Sequence, residues 1–432
     1  MNVSALNNGL KIISPEIGAL YQIVKLPRMN LDPLMISYGI WPANTVYLSG
    51  ESYGGRSSGC SFRWDEAILG TIGETVERYA AAFYDVNDSV YSSYKNLVGQ
   101  AVHPKEFALF HPLQYQDELL ARHGIKPFNE NIEVSWFPTM DLTNGLQTYL
   151  PGQFIYLPFS RDANGITVST STGLAAHTNY HKALLSGLYE SIERDSFVLT
   201  WMHNIVPEKI KITQQIQQYI DNYFPVKYDW HFFDITYDIN VPSTLGYCFG
   251  ESEYGKFIAV GTSSRATYGE SLQKTIQEIG QAIPYFRYLL GEKKDWQPSD
   301  DYNLIRSFED HSILYTKRPD LWSVFDRWTT AKETKVIDLF EKKEISDQDQ
   351  IKFIVRLMKD KGYNVLCRDI TTHDIRQLGF FSVKVFIPQL IQLSGSYPFY
   401  FLGGERLYTV PAQRGYKTLD YHTLNKYPHP FP

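Results

Sequence analysis

The chain has 432 residues and a formal net charge of −6, and 43% of its residues are hydrophobic and 20% are charged. No long run of lysine and arginine is available to neutralise phosphates, which argues against nucleic acid as a main partner. No segment approaches the roughly 20 consecutive apolar residues that a membrane-spanning helix needs.

The first half of the chain contains strand-like and helix-like stretches separated by turns. We predict a strand at Leu20–Lys25 and a helix from about Asp65 to Ala82, with Asp65 as its N-cap. Residues 90–160 are rich in turn formers and contain strand candidates at 133–137 and 153–157.

The second half alternates long helices with groups of strands. Apolar residues at nearly helical spacing predict helices at about 180–203 and 269–290. Strands are predicted at 229–234, 244–249, 257–261, 363–369 and 381–388. This alternation predicts an α/β or α+β architecture.

Cysteine usage and the first residues bear on the compartment. Cys60, Cys248 and Cys367 are far apart and form no C-x-x-C pair, which argues against a structural zinc site and favours a reducing compartment. The N-terminus lacks a basic stretch followed by an apolar one, so no secretory signal is recognised. We therefore expect a cytoplasmic protein. Aromatic residues make up 15% of the chain, which fits either bulky core packing or a peptide-binding surface.

A repeated acidic pattern is the strongest indication of a site. The form E-x-(V/I)-E-R occurs at Glu74–Arg78 and again at Glu190–Arg194, and Glu278-Ile-Gly-Gln281 repeats the spacing with an amide in the last place. Residues three apart on a helix share one face, so each segment directs two oxygen-bearing side chains the same way. Three such faces in one cleft would form a carboxylate cage that Mg²⁺ could fill to bind a polyphosphate.

The same pattern has a simpler interpretation. Charged helix faces are common, and each glutamate could lie in solvent and pair with a neighbouring arginine. Arg78 and Arg194 could fork onto phosphate oxygens, or they could serve only as partners of the adjacent glutamates.

Glycine- and serine-rich turns precede both acidic helices. No Walker A sequence is present. The turns at 54–61 and 169–173 could direct backbone N–H groups at an anion, although most turns of this composition are only turns.

Several spaced motifs together resemble the YcaO family. The hallmark S-x-x-x-E-x-x-E-R is matched by Ser186 to Arg194, and the family's first acidic helix is matched by Ala67 to Tyr79. Glu278 and Gln281 match a third motif, with Lys274 where the family has glutamine. Further matches lie at 171–176 and 403–411, so the resemblance runs from about residue 50 to the end of the printed sequence.

The resemblance implies an α+β, YcaO-like fold with mixed β-sheets, packed helices and an internal pseudo-repeat of strand-plus-helix units. It implies an N-terminal segment at 1–50 and a YcaO domain at 51–432. ATP and Mg²⁺ are the implied cofactors. The implied metal ligands are Glu74, Glu77, Glu190, Glu193 and Glu278. The implied nucleotide contacts are Ser171, Ser186, Arg78, Arg194 and Gln281, and Arg406 is expected to contact phosphate as a catalytic residue.

The sequence ends in Tyr427-Pro-His-Pro-Phe-Pro432. Such a P-x-P-x-P ending is typical of YcaO proteins that form azolines, the D proteins of thiazole/oxazole-modified microcin pathways. Alternating prolines favour a stiff segment, which could hold the carboxylate of Pro432 in a cleft as a catalytic group; a frayed terminus is the alternative.

The resemblance thus implies cyclodehydration of Cys, Ser or Thr in a ribosomal precursor peptide, by ATP-dependent phosphorylation of the amide oxygen. A separate E1-like C protein is the expected leader-binding partner, a flavin-dependent azoline dehydrogenase could follow, and a homodimer is possible. The alternatives are a thioamide- or amidine-forming YcaO enzyme and a non-catalytic nucleotide-binding scaffold.

Overall fold

The computed structural model describes residues 3–16, 18–43, 45–46 and 57–431. Helices lie at Val3–Leu10 (α1), Trp64–Ala81 (α2), Glu118–Arg122 (α3), Tyr180–Met202 (α4), Gln214–Tyr223 (α5), Tyr268–Glu292 (α6), Phe308–Lys317 (α7), Asp326–Thr329 (α8), Asp347–Asp360 (α9), His373–Gln377 (α10) and Glu405–Gln413 (α11). Strands lie at Leu20–Lys25 (β1), Ile36–Pro42 (β2), Ser57–Ser61 (β3), Val90–Ser93 (β4), Glu133–Asp141 (β5), Leu146–Pro151 (β6), Leu174–His177 (β7), Glu208–Ile210 (β8), Asp229–Asp234 (β9), Ser243–Ser252 (β10), Gly255–Ser264 (β11), Glu333–Lys335 (β12), Leu366–Asp369 (β13) and Phe381–Phe386 (β14).

The strands form three sheets. One has the order β1-β2-β3 and is antiparallel. A second has the order β11-β10-β9-β8-β12, in which only β8 and β12 run parallel. The third has the order β4-β5-β13-β14-β7, with β6 paired to β5. The first sheet joins β1 and β2 to β3, so it contains residues from both sides of the expected domain boundary at residue 50. The division into a 1–50 segment and a 51–432 domain stays a prediction.

Each acidic helix directly follows a strand: β3 leads into α2, β7 into α4 and β11 into α6. The helices also lie very close to the strands. A Cβ added at Gly59 of β3 would come within 2.3 Å of the backbone nitrogen of Thr71, and one at Gly261 of β11 within 2.6 Å of the carbonyl oxygen of Thr275. The strand-plus-helix repeat is therefore present, and glycine permits its closest contacts.

Aromatic side chains fill the interior. Trp136, Trp201, Trp328, Tyr247 and Tyr315 are among the largest fully buried side chains. The rings of Tyr247 and Trp328 stack with centroids 4.9 Å apart. Bulky core packing thus accounts for much of the aromatic content. Within the described ranges, no helix combines the length and the apolar character needed to cross a bilayer.

Two local predictions are wrong. The strand candidate at 153–157 overlaps a 3₁₀ turn at Gly152–Phe154, because the preceding β6 already ends at Pro151. Asp65 is not the N-cap of α2: Arg63 holds that position, and the Asp65 carboxylate pairs with it at 3.0 Å from within the first helical turn. An acidic group in the first turn still complements the helix dipole.

The expectation that Arg406 contacts phosphate is also corrected. Its guanidinium is 3% exposed and lies between Asp195 of α4 and Asp238, with its Nη2 2.8 Å and 2.5 Å from their carboxylates. Its Nε and Nη1 donate to the same two carboxylates, and Nη1 also donates to the Tyr363 hydroxyl at 3.3 Å. All five N–H donors of an arginine are thereby used, so none is left for a phosphate.

Arg406 instead joins α11 to α4 and to the loop that carries Asp238. Burial alone would raise the pKa of the Asp238 carboxyl, but hydrogen bonds from Arg406 and Lys361 hold it at about 2. The pair with Asp195 fixes the helix that carries the second acidic motif, because Asp195 directly follows Arg194. Arg406 therefore acts on the site through the position of α4.

Replacing Arg406 with methionine should lower the free energy of unfolding by about 3–5 kcal/mol, because the buried Asp195 carboxylate loses its counter-charge and Asp238 keeps only Lys361. Urea unfolding followed by tryptophan fluorescence measures this change. Arg318→Met is the matched control: Arg318 also faces two carboxylates, those of Asp300 and Asp320, but both are largely in solvent. That variant should lose much less, and equal losses in the two variants would contradict the structural role.

Candidate functional site: a buried group of carboxylates

The acidic motifs of α2, α4 and α6 come together. Glu77 interacts electrostatically with Glu190 and with Glu74, and Glu74 also interacts electrostatically with Glu190. Glu193 lies within electrostatic range of Glu278. The carboxylates thus form two neighbouring groups, which we name the α2–α4 group (Glu74, Glu77 and Glu190) and the α4–α6 group (Glu193 and Glu278).

Backbone N–H groups from the strand ends orient the α2–α4 group. Ser58 N of β3 donates to Glu74 Oε2 at 3.1 Å, and Gly173 N donates to Glu190 Oε2 at 2.8 Å. Gly173 has φ of +81°, and a Cβ there would lie 2.1 Å from the Val385 carbonyl oxygen. Only glycine therefore allows the turn before β7 to bring its N–H to the carboxylate.

The α4–α6 group is more deeply buried on its α4 side. The Glu193 side chain is 7% exposed and accepts a hydrogen bond from Thr262 Oγ1 of β11 at 2.7 Å. Glu278 faces Lys274, one turn earlier on α6, with Nζ 3.5 Å from its Oε1. Lys274 occupies the position where the family motif has glutamine, and the structure gives it this ion pair.

Arg194 links the two groups. Its Nη2 lies 3.4 Å from Glu190 Oε1 and its Nε lies 3.8 Å from Glu193 Oε1. On α2, Arg78 Nη1 lies 3.2 Å from Glu77 Oε1. Both arginines therefore have glutamate partners, as the simpler interpretation expects, but the glutamates are largely buried: the Glu77 side chain is 16% exposed.

Burial makes it costly for several of these carboxylates to be ionised. Burial raises the pKa of Glu77 to about 8, with Glu190 and Glu74 adding to the rise and Arg78 opposing it. Burial and the nearby Glu278 likewise raise the pKa of Glu193 to about 8, against Arg194. Burial also raises the pKa of Glu74. These groups would ionise more readily beside an added cation.

The donor set suits magnesium. Carboxylate oxygens are hard ligands, and Mg²⁺ commonly uses only one or two of them beside waters and phosphate oxygens. Among the described residues, no group of three or more acidic, histidine or cysteine side chains is arranged to hold a metal ion alone. Two small carboxylate groups that share metal ions with a bound polyphosphate fit both observations, and the ligand roles of the five glutamates remain predictions.

The expected nucleotide contacts lie around these groups. Gln281 Nε2 on α6 donates to Ser58 Oγ on β3 at 3.3 Å, which joins the first and third strand–helix units. Ser186 is exposed on α4, one turn before Glu190, and Ser171 is half-buried in the turn before β7. The first part of the other glycine- and serine-rich turn, at 54–56, lies outside the described residues.

Sequence reasoning missed Ser58, Thr262 and Lys384. Lys384 on β14 is 2% exposed, and burial lowers its pKa to about 7, while Glu190 and Glu77 act in the opposite direction. The sequence does contain an indication for Lys384, because a single lysine interrupts the otherwise apolar run from Val383 to Phe386 in a predicted strand. Thr262 carries no comparable signal, since its role depends on a helix distant in sequence, whereas Ser58 lies in the 54–61 turn whose N–H groups were expected to face an anion.

The C-terminal segment is packed inside the molecule. Residues 428–431 are buried, Tyr315 Oη donates to the Pro428 carbonyl oxygen at 2.6 Å, and the rings of His311 and His429 stack at 3.8 Å. The Phe431 ring lies under the Arg194 guanidinium, 4.1 Å from its Cζ. The described tail is therefore not frayed and reaches the acidic site, while Pro432 itself lies outside the described residues.

Changing Glu193 to glutamine should stabilise the metal-free protein at pH 8, by on the order of 1–3 kcal/mol, because it removes a buried like charge. A carboxyl whose pKa is raised by folding costs nothing below its unfolded pKa; the cost grows as the pH rises above that value and is complete above the folded pKa. The gain should therefore disappear near pH 4.5. Urea unfolding at both pH values measures it.

The exposed Glu118 provides the control, since Glu118→Gln should have little effect at either pH. Adding Mg²⁺ with a non-hydrolysable ATP analogue should stabilise the wild type more than the Glu193→Gln variant. A Glu193→Gln variant that is less stable than the wild type at pH 8 would contradict the raised pKa of Glu193.

Comparisons with known proteins agree with this arrangement. A family model described as YcaO cyclodehydratase, ATP- and Mg²⁺-binding, matches residues 58–391. Among curated proteins, no match to the sequence was found.

Three solved structures have the same fold. A heterocyclase in complex with substrate and cofactor has a TM-score of 0.77 and 21% identity, over 99% of this chain and 57% of that one. YcaO from Methanopyrus kandleri, bound with AMPPCP and Mg²⁺, has a TM-score of 0.62 and 15% identity over 90% of each chain. A chain of the E. coli microcin synthetase McbBCD complex with pro-MccB17 bound has a TM-score of 0.60 and 16% identity, over 95% of this chain and 96% of that one.

The chain spans a little more than half the length of the heterocyclase. At these identities the structural likenesses show the fold, and they confirm the expected α+β, YcaO-like architecture. The family model covers most of the chain and includes all three acidic motifs. The chain therefore belongs to the YcaO family, whose cyclodehydratase domain binds ATP and Mg²⁺.

Proposed function

We propose that the chain is an ATP-dependent cyclodehydratase that converts Cys, Ser or Thr of a ribosomal precursor peptide to thiazoline or oxazoline. The observation that carries this proposal is that Glu77 lies near Glu190 and Glu193 lies near Glu278, where three strand–helix units come together. Family membership supplies the expected ligands, ATP and Mg²⁺.

In this proposal the α2–α4 group and the α4–α6 group would hold magnesium together with the nucleotide. When bound, ATP supplies the phosphoryl group and Mg²⁺ supplies positive charge that favours the ionised carboxylates. Arg78 and Arg194 contact phosphate oxygens from the edges of the two groups. Ser171, Ser186 and Gln281 contact the nucleotide from the turn before β7, from α4 and from α6.

The reaction removes one water from the peptide for each ring. The side-chain thiol or hydroxyl adds to the carbonyl carbon of the preceding amide and loses its proton. The resulting oxyanion takes the γ-phosphoryl group, and ADP is released. The C–O bond then breaks with loss of phosphate, and the amide nitrogen loses its proton to leave a C=N bond in the ring.

The residues of the chain contribute position and charge, which are the main sources of rate in phosphoryl transfer. Arg194 is held between Glu190, Glu193 and the Phe431 ring, so its guanidinium has a fixed orientation. Pro432 follows Phe431, and we propose that its carboxylate assists proton transfer at the reacting amide. Arg406 supports the site through Asp195 and does not touch the reactants.

Partners are part of the same proposal. The fold resembles a chain in the McbBCD complex with pro-MccB17 bound, and it corresponds to only part of the longer heterocyclase. We propose that a separate E1-like C protein presents the leader of the precursor peptide, that an azoline dehydrogenase with flavin can act next in a bacteriocin-like pathway, and that the chain can form a homodimer. A cytoplasmic location is supported by the three free cysteines.

The proposal predicts peptide-dependent ADP release. A small Cys-, Ser- and Thr-rich peptide encoded beside this chain, incubated with the chain, its C-protein partner and Mg·ATP, should lose the mass of one water per ring. Glu193→Gln should reduce ADP release to near zero, whereas Glu118→Gln should leave it unchanged.

The product mass separates the alternatives. Exchange of an amide oxygen for sulfur would indicate a thioamide-forming enzyme, and condensation with an amine would indicate an amidine-forming one. Nucleotide binding without turnover would indicate a scaffold. Full activity of Glu193→Gln would remove Glu193 from the site.

A further inference from the structure

Lys384 is a buried lysine that neither the family motifs nor the proposed mechanism uses. It lies in β14, in the interior of the third sheet, between Arg368 of β13 and Leu174 of β7. Its side chain is 2% exposed. Burying an ammonium group costs several kcal/mol unless partners compensate, so its surroundings should indicate what it does.

The partners of Lys384 are carbonyl oxygens of one turn. Its Nζ donates to Thr172 O at 2.7 Å and to Thr170 O at 3.1 Å. A second bond ties the same turn to β14, because Val385 N donates to Gly173 O at 2.8 Å. The turn at 170–173 is therefore anchored to β14 from both the lysine side chain and the strand backbone.

That turn carries groups of the candidate site. Gly173 N donates to Glu190 Oε2, and Ser171 lies between the two threonines whose carbonyls Lys384 binds. The electrostatic neighbours of Lys384 are Glu190, Arg78 and Glu77. The Lys384 side chain thus contacts the 170–173 turn and lies beside the α2–α4 group of carboxylates.

We infer that Lys384 is a positioning residue for nucleotide binding: it fixes the 170–173 turn so that Gly173 N–H orients the Glu190 carboxylate and Ser171 faces the nucleotide beside it. This inference rests on the proposed function. It requires no contact between Lys384 and the nucleotide, because the lysine acts through its two hydrogen bonds to the turn.

The chain offers a matched control in Lys209 of β8. Lys209 is 7% exposed, and its Nζ also donates to two carbonyl oxygens, those of Thr329 at 3.1 Å and Trp328 at 3.5 Å. Its electrostatic neighbours are Glu333 and Asp229, which belong to neither carboxylate group. Any loss of stability that comes simply from removing a buried lysine should therefore appear both when Lys384 and when Lys209 is replaced.

The test measures binding of Mg²⁺ with a non-hydrolysable ATP analogue by calorimetry, for the wild type, Lys384→Met and Lys209→Met in the full chain. Lys384→Met should bind the analogue about tenfold or more weakly, and Lys209→Met should bind it like the wild type. In steady-state ATP hydrolysis, the loss in Lys384→Met should appear mainly as a higher KM. Lys384→Gln keeps amide donors for the turn and should recover part of the affinity.

The outcomes decide between a site role and a structural one. Equal affinities for Lys384→Met and Lys209→Met would overturn the inference while leaving the proposed function intact. If Lys384→Met does not fold, the comparison of Lys384→Gln with Lys209→Met decides in the same way. Absence of analogue binding by the wild type would instead overturn the proposed function, and the inference with it.

Discussion

Several carboxylates lie beside one another where three strand–helix units meet, and burial makes it costly for them to be ionised. Ser58 N, Gly173 N and Thr262 Oγ1 orient Glu74, Glu190 and Glu193 but bring no net charge. Neutral hydrogen bonds cannot replace a counter-ion in a low-dielectric site. Without a bound cation, Glu77 and Glu193 therefore keep their protons up to about pH 8, and the rest of the fold holds the groups in place for cations that would displace those protons.

Two distant parts of the chain supply that support through α4. Arg406 binds Asp195, the residue after Arg194, with a bidentate ion pair that is almost fully buried. The tail approaches from the other direction and places the Phe431 ring against Arg194. Stability and site geometry are thus coupled, because the same helix carries the second acidic motif and both of these contacts.

Local periodicity and repeated spacing predicted the three acidic helices to within about two residues, since these features depend on near neighbours in the sequence. The grouping of Glu77 with Glu190 followed from the repeat of the motif. The partners of Arg406 could not be predicted, because Asp195 and Asp238 lie far away in sequence and look like ordinary surface acids. The position of Lys384 beside the 170–173 turn depends equally on sheet pairing that no local pattern reveals.

The central claim is that the two carboxylate groups receive metal ions together with a nucleotide. The most direct measurement is a crystal structure of the chain with a non-hydrolysable ATP analogue and Mn²⁺ in place of Mg²⁺, using the anomalous signal of the metal. The account predicts metal ions coordinated by Glu77 or Glu190 on one side and by Glu193 or Glu278 on the other, with phosphate oxygens between them. A nucleotide bound elsewhere, or metal ions that touch none of these glutamates, would contradict it.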